Sequence, residues 1–306
     1  MPKIFAESSP ISWNWISLKG PDAQDFLHRL TSVNTRAMDV GTGSRGFFLT
    51  PMGKIRADFT LWNLAPQEYA FEFDGGADDK WKSELLATID QFTFSEQITI
   101  LPVTGVSAVW IFLDQDETFT IDIKGGQTLA VNYESSAIRL CNHGNLDYGR
   151  TWMTAWGEPA VMNKWLKGAE KTDFKTLEAW RIESLRPRTD MEITPDVNPL
   201  EIGLKDGIAD NKGCYPGQEI IEKIVALGSP SRRLARIDGV GAPPALGEKI
   251  MNVAEVPAEV GTVSSVTQGG GKFSALSVIR KIYAKEGLEV QLEKSKAKIT
   301  KIAPYA

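Results

Sequence analysis

The chain is poor in the residues from which most metal and redox centres are made: its 306 positions include two cysteines and two histidines. A metal site needs three or four converging ligands, and Cys141-Asn142-His143 offers two at best. Cys141 and Cys214 are too few to brace a chain of this length with disulfides, so reduced thiols are the expected state. Long apolar runs are missing as well. No stretch approaches the roughly 20 residues that span a bilayer, and Met1 to Ile16 lacks a basic region followed by an apolar block, so the cytoplasm, or a compartment reached without a recognisable leader, is expected, with no membrane partner. Positive charge is not in surplus: a net charge of −5 and a pI near 5.3 argue against sequence-independent nucleic-acid binding, which needs clustered Lys and Arg to displace phosphate counterions. Lys294, Lys296 and Lys298 alternate at strand spacing and read as a solvated sheet face.

What is present, 42% hydrophobic and 24% charged side chains, suffices for roughly two to three domains with real cores. Gly20-Pro21-Asp22-Ala23 opens a helix with Pro21 at its first position and an apolar stripe of Ala23, Phe26, Leu27 and Leu30. Phe47–Thr50, a turn at Pro51-Met52-Gly53, and Lys54–Leu64 predict a hairpin. Its second strand turns Ile55, Ala57, Phe59 and Leu61 one way and Arg56, Asp58 and Thr60 the other. A helix over Asp78–Phe92 and a strand over Gln97–Leu101 follow. Further strands are expected at Val106–Leu113, Thr118–Ile123 and Ala137–Leu140, with helices at Val161–Ala169 and Asp173–Ser184. Beyond Gly228-Ser229-Pro230, short strands at Leu234–Ile237, Val260–Val266, Phe273–Ile279 and Leu288–Leu292, punctuated by Gly and Pro, predict a small β-barrel.

Gly41-Thr42-Gly43-Ser44-Arg45-Gly46 matches the dinucleotide fingerprint letter for letter, but an aromatic strand follows it instead of a helix, so a turn is expected. Gly269-Gly270-Gly271 reads as a hairpin tip. Cys141, at the end of an apolar strand, reads as a packed thiol. Cys214 differs. It lies in Lys212-Gly213-Cys214-Tyr215-Pro216-Gly217-Gln218-Glu219, ahead of Ile220, Ile221, Ile224 and Leu227 at helical spacing, so Pro216 is expected at the first helical position. A helix N-terminus and the nearby Lys212 both favour thiolate over thiol.

That octet resembles the signature of the YgfZ-type folate-binding proteins, relatives of the glycine-cleavage T-protein. Similar stretches run from about residue 18 to 285: Gly20–Ala23 with Phe26-Leu27, Leu49–Lys54, Trp180–Glu183 with Pro187, Thr194-Pro195, Pro199–Glu201, and Val260–Val263. The resemblance implies an α+β fold, a ring of two mixed α/β modules (1–105 and 106–228) around a central folate hole, with a C-terminal barrel (229–306). It implies tetrahydrofolate or a derivative as cofactor and iron–sulfur client enzymes, including tRNA-modifying ones, as partners. T-proteins carry paired aspartates after the first hairpin turn; here the matching stretch is Arg56-Ala57-Asp58, which weakens the case for aminomethyl transfer. Leu185 stands where relatives usually have glycine, and Glu222-Lys223 where many have alanine and arginine.

Folate chemistry selects the candidate residues. A carboxylate can accept the paired N–H donors of a pterin edge, an aromatic wall suits the ring, and a cation suits the glutamate tail. Asp58 and Glu201 are the carboxylate candidates, Trp180 the wall and Arg181 the tail partner; Tyr215, Gln218 and Glu219 join them from the signature, with Cys214 and Lys212 as the reactive pair. The leading expectation is a folate-binding accessory protein for iron–sulfur cluster assembly or repair with a reactive thiol at Cys214. The alternatives are a folate-dependent one-carbon transferase (aminomethyltransferase or demethylase) and a non-catalytic scaffold on the same fold.

Overall fold

The computed structural model describes residues 3–5, 12–113, 121–144, 150–210 and 212–305. It divides into two compact units, one of Met1–Leu49, Arg56–Asp173 and Asp206–Pro216, the other of Thr50–Ile55, Phe174–Lys205 and Gly217–Ala306.

The first unit begins with β1 (Lys3–Phe5), β2 (Trp13–Lys19), α1 (Ala23–Leu30), β3 (Gly43–Leu49), β4 (Ile55–Ala65), β5 (Glu68–Asp74), α2 (Lys80–Phe92) and β6 (Thr99–Pro102). It continues with β7 (Ser107–Leu113), β8 (Thr128–Tyr133), β9 (Ser136–Gly144), β10 (Thr151–Gly157), α3 (Pro159–Trp165) and β11 (Glu170–Lys171). One sheet has five strands in the order β3-β4-β5-β2-β6, the other six in the order β11-β1-β7-β10-β9-β8. The alternation expected for β4 is present: Ala57, Phe59 and Leu61 enter a core with Phe26 and Leu27 of α1 and Leu85 and Ile89 of α2. Each of the Phe, Leu and Ile side chains stabilises the fold by about 1.5–3 kcal/mol when fully buried. Helices of 8 and 13 residues, too short to persist alone in water, are held by this packing.

The opposite face of the first sheet and one face of the second share a tryptophan layer, in which Trp15, Trp62 and Trp156 pack with Ala70 and Cys141. The far side of the second sheet packs Ile111, Leu140 and Met153 against Met162 of α3. Of Gly41–Gly46, expected as a turn, only Gly41 and Thr42 precede the strand, and Gly43–Gly46 are the first four residues of β3. Gly43 is required there because a Cβ would lie 2.1 Å from the Trp62 ring.

Strands β2, β5, β8 and β10 were not visible in the residue pattern. In β10 six consecutive residues are buried, so the polar alternation that marks a half-exposed strand is absent. Of the strand expected over Thr118–Ile123, residues 118–120 lie outside the described residues and 121–123 form none.

The second unit holds α4 (Phe174–Glu183), α5 (Gln218–Ala226) and six strands, β12 (Arg232–Val240), β13 (Lys249–Asn252), β14 (Glu259–Gly269), β15 (Lys272–Arg280), β16 (Glu289–Gln291) and β17 (Lys296–Ile302). These close into a barrel in the order β12-β15-β14-β13-β16-β17, which leaves no open sheet edge. Ile237, Val263, Phe273, Val290 and Ile299 fill it. In β17, Ala297 and Ile299 point inward while Lys296 and Lys298 are exposed, the solvated face expected of that lysine run. Gly270-Gly271 turns the β14–β15 hairpin. Leu185, where relatives carry glycine, has φ 58, a left-handed conformation that glycine adopts without the Cβ penalty. Among the described residues no helix is long and apolar enough to cross a membrane.

Candidate functional site

The signature loop is placed by α1. Ser32, just beyond that helix, donates to the Gly207 carbonyl at 2.5 Å, accepts from the Phe47 amide at 2.9 Å, and through its own carbonyl accepts from the Ala209 amide at 3.0 Å. A helix end leaves its last carbonyls without intrahelical partners. The Lys212 ammonium supplies them, donating to His28 O at 2.6 Å and to Thr31 O, and it sits 4.8 Å from the centre of the Tyr215 ring. A cation there also meets the negative end of the helix dipole. Burial, with the charge of Arg36 adding to it, lowers the Lys212 pKa to about 7.

These contacts commit the ammonium to α1, where the sequence reading had assigned it to the thiol. Cys214 is exposed, two residues beyond this anchor. Gly213 lies beside His28, whose buried Nδ1 has no hydrogen-bond partner among the described residues; burial first, then the charges of Lys212 and Arg36, push the His28 pKa down. The helix expected from Pro216 begins at Gln218. The reason is Gly217, whose φ of 83 is left-handed and interrupts a right-handed helix. Cys214 is therefore four residues ahead of the helix start, separated from it by Tyr215, Pro216 and Gly217.

Asp58 lies on the polar face of β4 and takes a two-pronged contact from Arg45, Nε to Oδ1 at 2.8 Å and Nη2 to Oδ2 at 2.5 Å. Burial outweighs the guanidinium and leaves its pKa raised, with Asp206 adding to the rise. Ala57, where T-proteins have a second aspartate, is 1% exposed and faces the core.

The remaining candidates lie in the second unit. Arg181 is 1% exposed and every N–H of its guanidinium is used, on Glu178, on Glu192, on the Arg186 carbonyl and on Ser265. Trp180 is 8% exposed. Glu201 receives Arg232 in a fork at 3.0 and 2.9 Å, the Ser231 hydroxyl and the Asn198 amide, with Lys54 at 3.5 Å. Burial pushes its pKa up, but Arg232, the Asn198 N–H and Lys54 together hold it below the usual carboxylate range. Arg181 and Glu201 thus have little capacity left for a ligand.

Gly217 lets the signature approach the first hairpin turn closely. A Cβ at Gly217 would lie 2.5 Å from Thr50 O, and one at Gly53 would lie 3.0 Å from Asn198 Nδ2 and from Ile220 Cγ2. Asn198 in turn donates to Gly53 O at 2.7 Å. Gln218 bonds Glu222 at 2.6 Å on the exposed face of α5, and Glu219 is exposed in its first turn.

Sequence reasoning missed Glu72. Its side chain is fully withdrawn from solvent and accepts from three indoles, Trp13 at 3.0 Å, Trp62 at 2.6 Å and Trp156 at 2.6 Å, and from the Thr154 hydroxyl. His143 Nε2 lies 3.3 Å away, its ring stacked on Trp152 at 4.0 Å. Burial pushes the Glu72 pKa up, and His143, Thr154 and Trp13 bring it below the ordinary value. Cys141, fully buried nearby, has its thiol pKa raised by burial and by the charge of Glu72. The only trace in the sequence is a run of tryptophans on segments that read as ordinary core.

No family model matches the chain. It is 24% identical over 318 residues to a chloroplastic protein of Arabidopsis thaliana whose name proposes a transferase, covering 95% of this chain and 68% of that protein. It is 23% identical to the mitochondrial iron-sulfur cluster assembly factor IBA57 of Mus musculus, covering 94% of this chain and 82% of that protein. It is 22% identical to the tRNA-modifying protein YgfZ of Blochmanniella pennsylvanica, covering 74% and 70% respectively. Among solved structures, the fold is similar to that of the glycine cleavage system aminomethyltransferase T from Bartonella henselae. The TM-score is 0.81 at 16% identity, over 100% of this chain and 86% of that one.

Proposed function

For this chain, a YgfZ-type member of the GcvT-like family, we propose a folate-binding accessory role in iron–sulfur cluster assembly or repair, with Cys214 as its working thiol. One observation carries the reading: the exposed Cys214 sits on a loop pinned to α1 by Lys212, Ser32 and Ala209, while the other thiol, Cys141, is buried and held in its neutral form. An exposed thiol held in place can form and break bonds with a partner without first paying the entropy of ordering its loop. Lys212 is a positioning residue in this scheme. The names of two relatives, a cluster assembly factor and a tRNA-modifying protein, support the same class of work.

A bound tetrahydrofolate would supply a one-carbon carrier. The proposal retains the two mixed modules, 1–105 and 106–228, about a folate hole, with residues 229–306 as the barrel module. Of the candidates for holding folate, Asp58 fits in part: it is a half-buried carboxyl group on the polar face of β4, with Arg45 occupying one edge. Tyr215, Gln218 and Glu219 remain proposed contacts. Asp58, and the fold shared with an aminomethyltransferase, also favour a second reading as a one-carbon transferase. The core-facing Ala57 supplies no second carboxylate, and general acid–base help is worth about 10² to 10⁴ in rate.

The test combines binding and rescue. Saturating 5-formyltetrahydrofolate should raise the melting temperature, because a ligand specific to the native state adds RT ln(1 + [L]/Kd), about 2.7 kcal/mol at a hundred times Kd. Cys214→Ala should bind it equally well yet fail to restore iron–sulfur enzyme activity in cells lacking the endogenous protein. Full rescue by Cys214→Ala at equal abundance removes the thiol from the proposal. Robust aminomethyl transfer from a lipoyl carrier promotes the second reading.

A further inference from the structure

Two members of the tryptophan layer, Trp15 and Trp156, also line a cavity of about 500 Å³ in the first unit, together with Arg139, Glu158, Ala130 and Ser136. That size falls within the roughly 300–1,000 Å³ of small-molecule sites. Neither Cys214 nor any residue proposed above to hold folate is among its lining. The two indole ring centres are 5.4 Å apart, and the Trp156 ring is fixed by its N–H bond to Glu72 at 2.6 Å, so the aromatic floor is set before any ligand arrives.

The sheet register places the charges around that floor. Arg139 of β9 stands between Trp156 of β10 and Ala130 of β8, and directly paired residues project from the same face of a sheet. Beside the guanidinium there is therefore an indole on one side and only a methyl group on the other. Arg139 is half-buried, it has no carboxylate within ion-pair distance among the described residues, and it donates to the Thr128 hydroxyl at 3.5 Å. A half-buried guanidinium without a counter-charge is costly unless something anionic completes it. Glu158 follows Trp156 by two positions in extended backbone, φ −60 and ψ 135, which turns it to the same side as the indole. Its carboxylate is exposed, makes no side-chain hydrogen bond to the helix it precedes, and has no cation within ion-pair distance among the described residues. One cavity thus carries an anion-seeking and a cation-seeking group that do not neutralise each other.

We propose that this cavity binds a zwitterionic α-amino acid with an aromatic or large aliphatic side chain: its carboxylate pairs with Arg139, its ammonium with Glu158, and its side chain lies on Trp15 and Trp156. A simple anion would leave Glu158 idle and gain nothing from the indoles. An uncharged apolar ligand would bury Arg139 further without completing it. A ligand with both charges and an apolar body uses all four groups, the indoles through buried area and the two charged residues through charge-assisted hydrogen bonds. Neither folate nor the thiol of Cys214 enters this site.

Calorimetric titration of the full chain with L-phenylalanine, phenylacetate and phenethylamine at millimolar concentration separates the two poles. L-phenylalanine should bind more tightly than either fragment. Arg139→Met keeps the apolar stem and removes the charge; it should weaken L-phenylalanine and phenylacetate about 10- to 100-fold, the usual loss with one charge-assisted contact, and leave phenethylamine unchanged. Arg139→Lys should recover part of the loss. Glu158→Gln should weaken L-phenylalanine and phenethylamine about 2- to 5-fold, less because the carboxylate is exposed, and leave phenylacetate unchanged. Ala130→Phe, at an exposed position directly opposite Arg139 in the β8–β9 register, fills the cavity without disturbing the core and should abolish binding of all three. Each variant should melt at the wild-type temperature in the absence of ligand. The site is overturned if the wild-type chain binds none of the three, or if Arg139→Met and Ala130→Phe both bind L-phenylalanine as wild type does. Arg139-dependent binding of phenylacetate, with L-phenylalanine no tighter and indifferent to Glu158→Gln, overturns the zwitterion.

Discussion

Glu72 in the first unit and Glu192 in the second are both fully buried carboxylates, yet one is held by neutral donors and the other by a guanidinium. Glu192 takes Arg181 at 3.0 Å, the Arg188 amide at 3.2 Å and the hydroxyls of Ser264 and Ser265 at 2.5 and 2.6 Å. Glu72 takes three indole N–H groups and a hydroxyl, with one histidine at ion-pair distance. A guanidinium offsets charge with charge but must itself be desolvated. Indoles bring a dipole and a large apolar surface at once, so the same side chains that satisfy the carboxylate also fill the core. The indoles around Glu72 build a rigid aromatic layer, whereas the guanidinium on Glu192 locks a helix to the barrel.

The comparison breaks most readily at Glu72. Glu72→Ala should cost about 3–5 kcal/mol, because it strands several buried donors at once, and Glu72→Gln should cost less. Urea unfolding would measure both, and a loss no larger than that of a surface substitution would show the hub to be incidental. The same group sets an acid limit. A carboxylate whose folded pKa lies below its unfolded value of 4.5 contributes stability that is fully present above that value and is lost as pH falls through the folded pKa. Wild type should therefore lose stability below about pH 4.5 more steeply than Glu72→Gln.

A smaller effect sharpens the contrast in the second unit, where the signature meets the hairpin tip. Gly217→Ala must place a Cβ 2.5 Å from a backbone oxygen at φ 83, at a cost of about 1–3 kcal/mol, measurable by thermal melting. If Ala is tolerated there without loss, the glycine serves something other than that contact. The smallest effect is expected at the exposed thiol. Cys214→Ala should change stability by no more than about 0.5 kcal/mol. Iodoacetamide at neutral pH should label Cys214 in the native protein and Cys141 only after unfolding, and mass spectrometry of the labelled peptides reads the order directly.

How much of this was legible in the sequence follows from the same contrast. The Arg181 cluster draws on Glu178, Arg186, Arg188 and Glu192, all close along the chain, and an ion pair for Arg181 could be foreseen from its neighbours. Four of the six barrel strands (β12, β14, β15 and β16), the β4 alternation and the stripe of α1 were visible because their apolar and polar residues alternate, whereas the short β13 was not. The Glu72 centre collects residues 13, 62, 72, 143, 154 and 156 from β2, β4, β5, β9 and β10. Those strands include ones buried on both faces, where periodicity is silent, and no local rule brings their residues together. The helix start was misplaced by two residues because Pro216 is a common first helical residue, while the left-handed Gly217 after it is set by the close approach of Thr50.

The bond from Lys212 to the His28 carbonyl spans 184 positions of the chain. Contacts so distant in sequence form late, since a long loop must close before they repay its entropy. On a ribosome α1 emerges long before the lysine that completes it, and its final carbonyls face water until the signature is synthesised and folds back. The loop bearing Cys214 therefore takes up its anchored position only after Lys212 has been made, so a chain released before that point would display neither the capped helix nor a positioned thiol.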